Sequence, residues 1–310
     1  MFKNIIKKNK ILLLIIITVV VFILIFRGRG YFENVNKINQ KDVLNYYRQY
    51  SSNTDPGEYL FLYESLPVDI YELCVLIKKQ LIHPVRIDEF PELAGKKSED
   101  ETFHSVREML EELVKRNPKG LVIDRLPEER LRLSCRFHSL LLASILKSQN
   151  IPVRVRVGFA GYLAPPGVNK SIDHWICEVW DEQKSSWIYV DPDLCKVNFD
   201  KNEFEPAGES WLKVQKKQVD PNQYGVFIWW GHDYIKANML HDFSCALNNE
   251  LIYWEGPVLA RKKLFSYTTD DLELLDTISV LLQDIDDNFY ELKKISLDKR
   301  LGNITDYPRY

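Results

Sequence analysis

The longest feature of the hydrophobic pattern is a run from Ile11 to Phe26, apolar apart from Thr18, with Lys3, Lys7, Lys8 and Lys10 ahead of it and Arg27 and Arg29 behind it. As a helix this run covers roughly 24 Å at about 1.5 Å per residue, a little less than the hydrocarbon core of a bilayer. Lys10 and Arg27 can snorkel to the two interfaces and make up the difference. A cleaved signal peptide ends in small residues, whereas this run ends Phe-Arg-Gly-Arg-Gly-Tyr. The pattern therefore predicts an uncleaved single-pass N-terminal anchor over residues 1–30. A polar, Asn-rich linker over 31–45 follows it.

Beyond the linker the periodicity changes. Ile70, Leu73, Cys74, Ile77 and Leu81 form a helical stripe over 69–82, and Cys74 lies in it as a packing thiol. Phe103, Val106, Met109, Leu110, Leu113 and Val114 repeat the stripe over 101–116, which stops at Asn117-Pro118. A third helix is expected over 135–149, with Ser134 as its N-cap. Val153-Arg154-Val155-Arg156-Val157 then alternates with period two, as a half-buried strand does. Two further strands, His174–Trp180 and Ser186–Val190, flank the polar turn Asp181-Glu182-Gln183-Lys184. The stretch 223–254 is rich in aromatics and shows no clear period. One long amphipathic helix is expected over 270–292, opened by Asp270 and Glu273. A helix followed by an antiparallel sheet makes the fold class α+β.

Composition narrows the function. Of 41 basic residues six lie in the first thirty positions, leaving 35 against 44 acidic ones in the remainder. An acidic body argues against nucleic acid, whose phosphates need a basic face, while the basic flanks of the apolar run suit anionic lipid. The cysteines at 74, 135, 177, 195 and 245 are too few and scattered for a disulfide framework, and their odd number leaves a thiol free.

Cys135 is the thiol with an unusual setting. It falls in the first turn of its helix, where unpaired N–H groups, the helix dipole and the neighbouring Arg136 favour thiolate. Such a sulfur can attack a carbonyl carbon while the same backbone donors hold the oxyanion. If the hairpin turn is centred between 182 and 183, His174 stands directly opposite Asp191 on one face, so the carboxylate can orient the imidazole. A slip of one residue would separate them.

The runs Cys135-Arg136-Phe137-His138-Ser139-Leu140-Leu141, Ile151-Pro152-Val153-Arg154, Asp173-His174-Trp175 and Trp187-Ile188-Tyr189-Val190-Asp191 resemble the core of the transglutaminase-like superfamily. Asn238, Asp242, Leu247 and Asn248 resemble a further run found in bacterial transglutaminase-domain proteins. The resemblance implies a papain-like core over 131–194 within a domain spanning 46–310, whose C-terminal part (268–300) is helical. It also implies a triad of Cys135 as nucleophile, His174 as base and Asp191 as orienter. The activity implied is thiol-dependent acyl transfer on protein or peptide amides, ending in water or in an amine, with no metal or organic cofactor. Phe137 departs from the pattern, since many members carry an acid there, and no upstream side chain offers itself for the oxyanion hole. The alternative is a catalytically silent fold serving as a membrane-anchored binding protein. The short basic tail ahead of the anchor suggests that the domain lies outside the cytoplasm.

Metal sites are the remaining chemistry to weigh. Cys135-x-x-His138 and His174-x-x-Cys177 have zinc-like spacing, but residues three apart on a strand point to opposite faces. His138 is expected as a packed or hydrogen-bonded helix residue. His232, Asp233, His241 and Cys245 match no ligand template and read as scattered polar positions. Trp229, Trp230 and Trp254 read as core.

Overall fold

The computed structural model describes residues 40–122 and 124–304, with side chains to 302. The apolar run Ile11–Phe26 lies outside them, and among the described residues no helix is long and apolar enough to cross a membrane. Two units are distinguished, Met1–Val43 and Leu44–Tyr310. Helix α1 (residues 40–48) begins in the first, occupying the described end of the stretch expected as linker. The remaining elements belong to the second.

That second unit is α+β, built on a seven-stranded, mostly antiparallel sheet with the order β4-β3-β2-β1-β5. The long strands are β1 (Val153–Ala160), β2 (Ser171–Asp181) and β3 (Ser186–Asp191). The two-residue β4 (Lys196–Val197) and three-residue β5 (Phe204–Pro206) close its edges. β6 (Tyr224–Val226) runs parallel to β2 at Ser171 and Ile172, and β7 (Trp229–Trp230) pairs with β6. β1 already occupies one edge of β2, so β3 and β6 share the other and leave residues 173–176 between them without a strand partner on that edge. That fork holds His174.

The helix that Cys135 opens packs on one face of the sheet, and two earlier helices cover it. α2 (Ile70–Gln80) is capped by Asp69, and α3 (Val106–Arg116) by a Ser105–Glu108 capping box. Residues 101–105, expected in α3, stay outside it because that cap fixes the start. α4 (Cys135–Ser148) is buried on every face from Cys135 to Lys147. Leu140, Leu141, Leu142, Ile145 and Leu146 join Val153, Val155, Val157, Trp175 and Val190 in the main core, each worth about 1.5–3 kcal/mol of burial.

β1 departs from the half-buried strand its alternation predicted, since all eight residues are buried. Its arginines are inside because each finds carboxylates. Arg154 donates to Glu178 (2.5 Å) and Asp286 (2.6 Å) and lies over the Trp187 ring. Arg156 bonds Glu178 and both oxygens of Asp242 at 2.9 Å. Asp242 belongs to α6 (His232–Ala246) and also accepts the Val157 N–H, so this helix seals the β1 edge that β5 leaves open.

The C-terminal helix expected over 270–292 is two. α7 (Thr269–Leu281) starts at a Thr268–Asp271 capping box rather than at Asp270 and Glu273, and α8 (Ile285–Ile295) restarts where Asp284 accepts from Asp287 N–H. α5 (Ala207–Gln215) is tied to α7 by a 2.7 Å bond from Trp211 to Asp276.

Candidate active site

Cys135, His174 and Asp191 converge at the fork in β2. The hairpin between β2 and β3 pairs Cys177 with Val190 and Asp181 with Ser186. Extending that register sets Asp191 opposite Ile176 rather than the predicted His174. The slip is two residues, because the turn occupies 182–185, one position later than the expected 181–184, with Ser185 in the left-handed region (φ 48°). An even slip keeps both side chains on one face as diagonal neighbours, within reach of an imidazole. The bond forms, with His174 Nε2 2.9 Å from Asp191 Oδ2.

Asp191 is saturated. Its Oδ2 also accepts from the Tyr162 hydroxyl (2.9 Å), and its Oδ1 accepts the backbone N–H groups of Asp193 (3.0 Å) and Leu194 (3.1 Å). Burial pushes this carboxyl up, but His174, Leu194 N–H and Tyr162 outweigh it and hold it at about 2. An ionised Asp191 only accepts, so His174 carries a proton on Nε2, and the Cys135 thiol is the imidazole's other titratable neighbour, each shifting the other. Burial alone would lower the imidazole, yet Asp191 and Cys135 push it well above its ordinary value.

Cys135 opens α4 as expected, but Arg136 does not serve the sulfur. The Arg136 guanidinium turns away from it to the carbonyls of Glu250, Leu251 and His104. Burial pushes the Cys135 thiol up, and the His174 imidazole is what draws it back. Ser134 stands at the N-cap position, but its hydroxyl caps no amide. It lies 2.8 Å from the Tyr253 hydroxyl instead.

Tyr253 is the site residue that sequence reasoning missed. Its hydroxyl accepts the Arg136 backbone N–H at 3.3 Å and stands 3.8 Å from Cys135 Sγ, from 118 positions down the chain. Its ring packs edge-on against Trp175 at 5.6 Å. No spacing rule links such distant positions, and the aromatic richness of 223–254 was the sole signal. Gly158, paired with His174 across β1 and β2, was also unremarked. A Cβ there would meet the Glu205 carbonyl at 2.2 Å, so glycine is what lets β5 pass behind the imidazole.

Asp173, beside His174, turns to α6, accepting from Tyr234 (2.8 Å) and Asn238 (2.7 Å). Burial raises it to about 6 against those two bonds. Asn238, Asp242 and Asn248, singled out in the sequence, thus share one use. They bind Asp173, the β1 edge, and Lys147 with the Tyr46 carbonyl, respectively.

Among the described residues no group of three or more His, Cys, Asp or Glu side chains could hold a metal ion. Cys177 Sγ donates to Ser139 O on the helix side of β2, away from His174. His138 is buried with Nδ1 3.1 Å from Ser134 O and Nε2 3.6 Å from Asp193. Along α6, His232 meets Gln215, Asp233 meets Tyr267, His241 meets Glu255 O and Cys245 lies in the core, so the four do not converge. Trp229, expected in the core, is exposed at the β6–β7 turn, and Trp254 is partly buried against the core. A cavity of about 370 Å³ lies elsewhere, over the Arg154–Arg156–Glu178 network, and its charged groups satisfy one another. No family model, curated protein or solved structure matches the chain.

Proposed function

We propose that the chain is a thiol-dependent acyl-transfer enzyme with a papain-like, transglutaminase-like core, acting on protein or peptide amides. The observation that carries this reading is an imidazole held at Nε2 by a saturated carboxylate and coupled to the thiol at the start of a helix. Sγ attacks the amide carbon and gives its proton to Nδ1, which returns it to the departing amine as the thioester forms. Water or a second amine then releases the acyl group. No metal or organic cofactor is required for these steps.

Cys135 and His174 are only 6% and 2% exposed, so small reagents should reach the thiol far faster than bulky ones. The test is to incubate the full chain with a dansylated amine and a peptide library. Dansyl incorporation marks transfer to amines and shortened peptides mark hydrolysis. Cys135→Ala and His174→Ala should abolish both while moving the thermal midpoint by only a few degrees. Full turnover by the Cys135→Ala protein would refute the reading.

The apolar run Ile11–Phe26 with its basic flanks supports a second proposal, that the enzyme is membrane-anchored with its domain outside the cytoplasm. A membrane-impermeant maleimide added to intact cells should label a cysteine engineered at an exposed position beyond residue 44. Protection until the membrane is breached would reverse the orientation, and release by carbonate would remove the anchor.

A further inference from the structure

Building on the acyl-transfer reading, we infer that the Tyr253 hydroxyl donates the hydrogen bond that stabilises the oxyanion formed when Cys135 attacks a carbonyl. The hydroxyl's bonding capacity is only partly taken up by its neighbours. One lone pair of Oη accepts the Arg136 N–H at 3.3 Å. Between Oη and Ser134 Oγ, 2.8 Å apart, either atom can donate. With Ser134 donating, the phenolic proton is free to face the Cys135 side, and no rearrangement of the ring is needed.

Position agrees with that role. Effective oxyanion donors lie about 2.7–3.1 Å from the charged oxygen, and that oxygen sits on the carbon bonded to sulfur. A donor 3.8 Å from Sγ is at a distance compatible with both conditions. The ring is fixed against Trp175, which occupies the same fork of β2 as His174, so the donor and the base share one rigid support. Burial and the nearby thiol keep the phenol protonated, as a donor must be. Tyr253 also fills a role for which no residue upstream of Cys135 was found.

The step balances without a proton leaving tyrosine. Sγ forms the C–S bond as the carbonyl π pair moves to oxygen, and the thiol proton passes to His174. Tyr253 donates a hydrogen bond and keeps its proton. When the oxygen pair returns, the bond to the leaving group breaks, and the leaving atom takes the proton from His174.

Two small reagents that react at the same sulfur provide the test. p-Nitrophenyl acetate acylates a thiol through a tetrahedral oxyanion, whereas iodoacetamide alkylates it by displacement at a saturated carbon and forms none. The full chain and its Tyr253→Phe variant are compared with both, with Cys135→Ala as background. Phenylalanine keeps the ring packing and removes only the hydroxyl. Acylation is expected to slow about a hundredfold or more while alkylation stays within about threefold. Ser134→Ala, which leaves the phenol but removes the partner that orients it, should lower the same ratio by a smaller factor. Equal slowing of both reactions in Tyr253→Phe would mean that the phenol merely positions the thiol and would overturn the inference. Faster reaction with both reagents would make it a cover over the sulfur and overturn it equally. If the unmodified chain shows no Cys135-dependent reaction with either reagent, the acyl-transfer reading itself falls.

Discussion

Asp191 accepts four hydrogen bonds, two from backbone, one from Tyr162 and one from His174, and asparagine can reproduce only part of that set. To keep the two backbone donors, an asparagine introduced there must direct its amide NH₂ at His174, forcing the proton onto Nδ1 where the lone pair is needed. Asp191→Asn should therefore cost about 10⁴ in acyl-transfer rate, measured beside its thermal midpoint. Because the carboxyl is held near 2, below its unfolded value, its stabilisation is present above pH 4 and is lost as pH falls toward 2. That shift corresponds to about 2 kcal/mol, and the variant's acid unfolding should lack it. Asp173 has the opposite sign. Raised to about 6 by burial, it resists ionisation when folded, so stability should decline as pH rises from 4 through 6. Asp173→Asn should flatten that part of the curve in thermal scans, and an unchanged slope would deny the assignment. At this scale the sequence offered Cys135, His174 and Asp191 because each sits in a short run of unusual chemistry. Tyr253 and Tyr162 stayed hidden, since a tyrosine in an aromatic-rich or loop segment carries no local mark of its partner.

Periodicity was clearest where one face alone is buried, whereas α4, buried all round, was placed by Ser134 and its end at Asn150. α2 and α3 show clean stripes, and the turn between β2 and β3 was placed to within one residue. α6 escaped because it is buried on most sides. Met239, Leu240 and Phe243 lie inside together with the polar Asn238, His241 and Asp242, so neither a stripe nor an apolar run marks it. β1 misled for a related reason, since Arg154 and Arg156 look solvent-facing until distant carboxylates supplied by β2, α6 and α8 are known. This arrangement makes a sharp prediction. Asp242→Ala leaves the buried Arg156 guanidinium with only Glu178, which Arg154 also uses, and strands the Val157 N–H, and breaking such a pair costs about 3–5 kcal/mol. Calorimetry should show the midpoint falling by roughly 10 °C. Replacing both partners by Arg156→Met with Asp242→Leu should cost less than the single change, because no charge is then stranded. A double variant as unstable as Asp242→Ala would mean that the loss comes mainly from the unpaired edge N–H and not from the broken ion pair.

At the scale of the unit Leu44–Tyr310, the region 131–194 that carries Cys135, His174 and Asp191 depends on residues from both sides of it. α4 is covered by Leu73, Ile77, Met109 and Leu113 of α2 and α3. Arg136 is satisfied by carbonyls at 104, 250 and 251, Arg156 by Asp242, and Arg154 and Trp187 by Asp286. The order of helix and strands within 131–194 could be read from periodicity, but these outside partners could not, because each lies on an element whose own pattern gives no hint of what it touches. A segment of this size buries a small enough fraction of its surface to be marginal, and here Arg136 would lose all its carbonyl acceptors while Arg154 and Arg156 would keep only Glu178. A fragment comprising 131–194 should accordingly give a circular dichroism spectrum without a cooperative thermal transition, and its amides should exchange within seconds. A fragment comprising 44–304 keeps every partner named above and should unfold in one transition with Cys135 still reacting with iodoacetamide. Cooperative folding of the shorter fragment would show that the flanking helices are accessory. Failure of the longer one would show that residues outside 44–304 hold the site together.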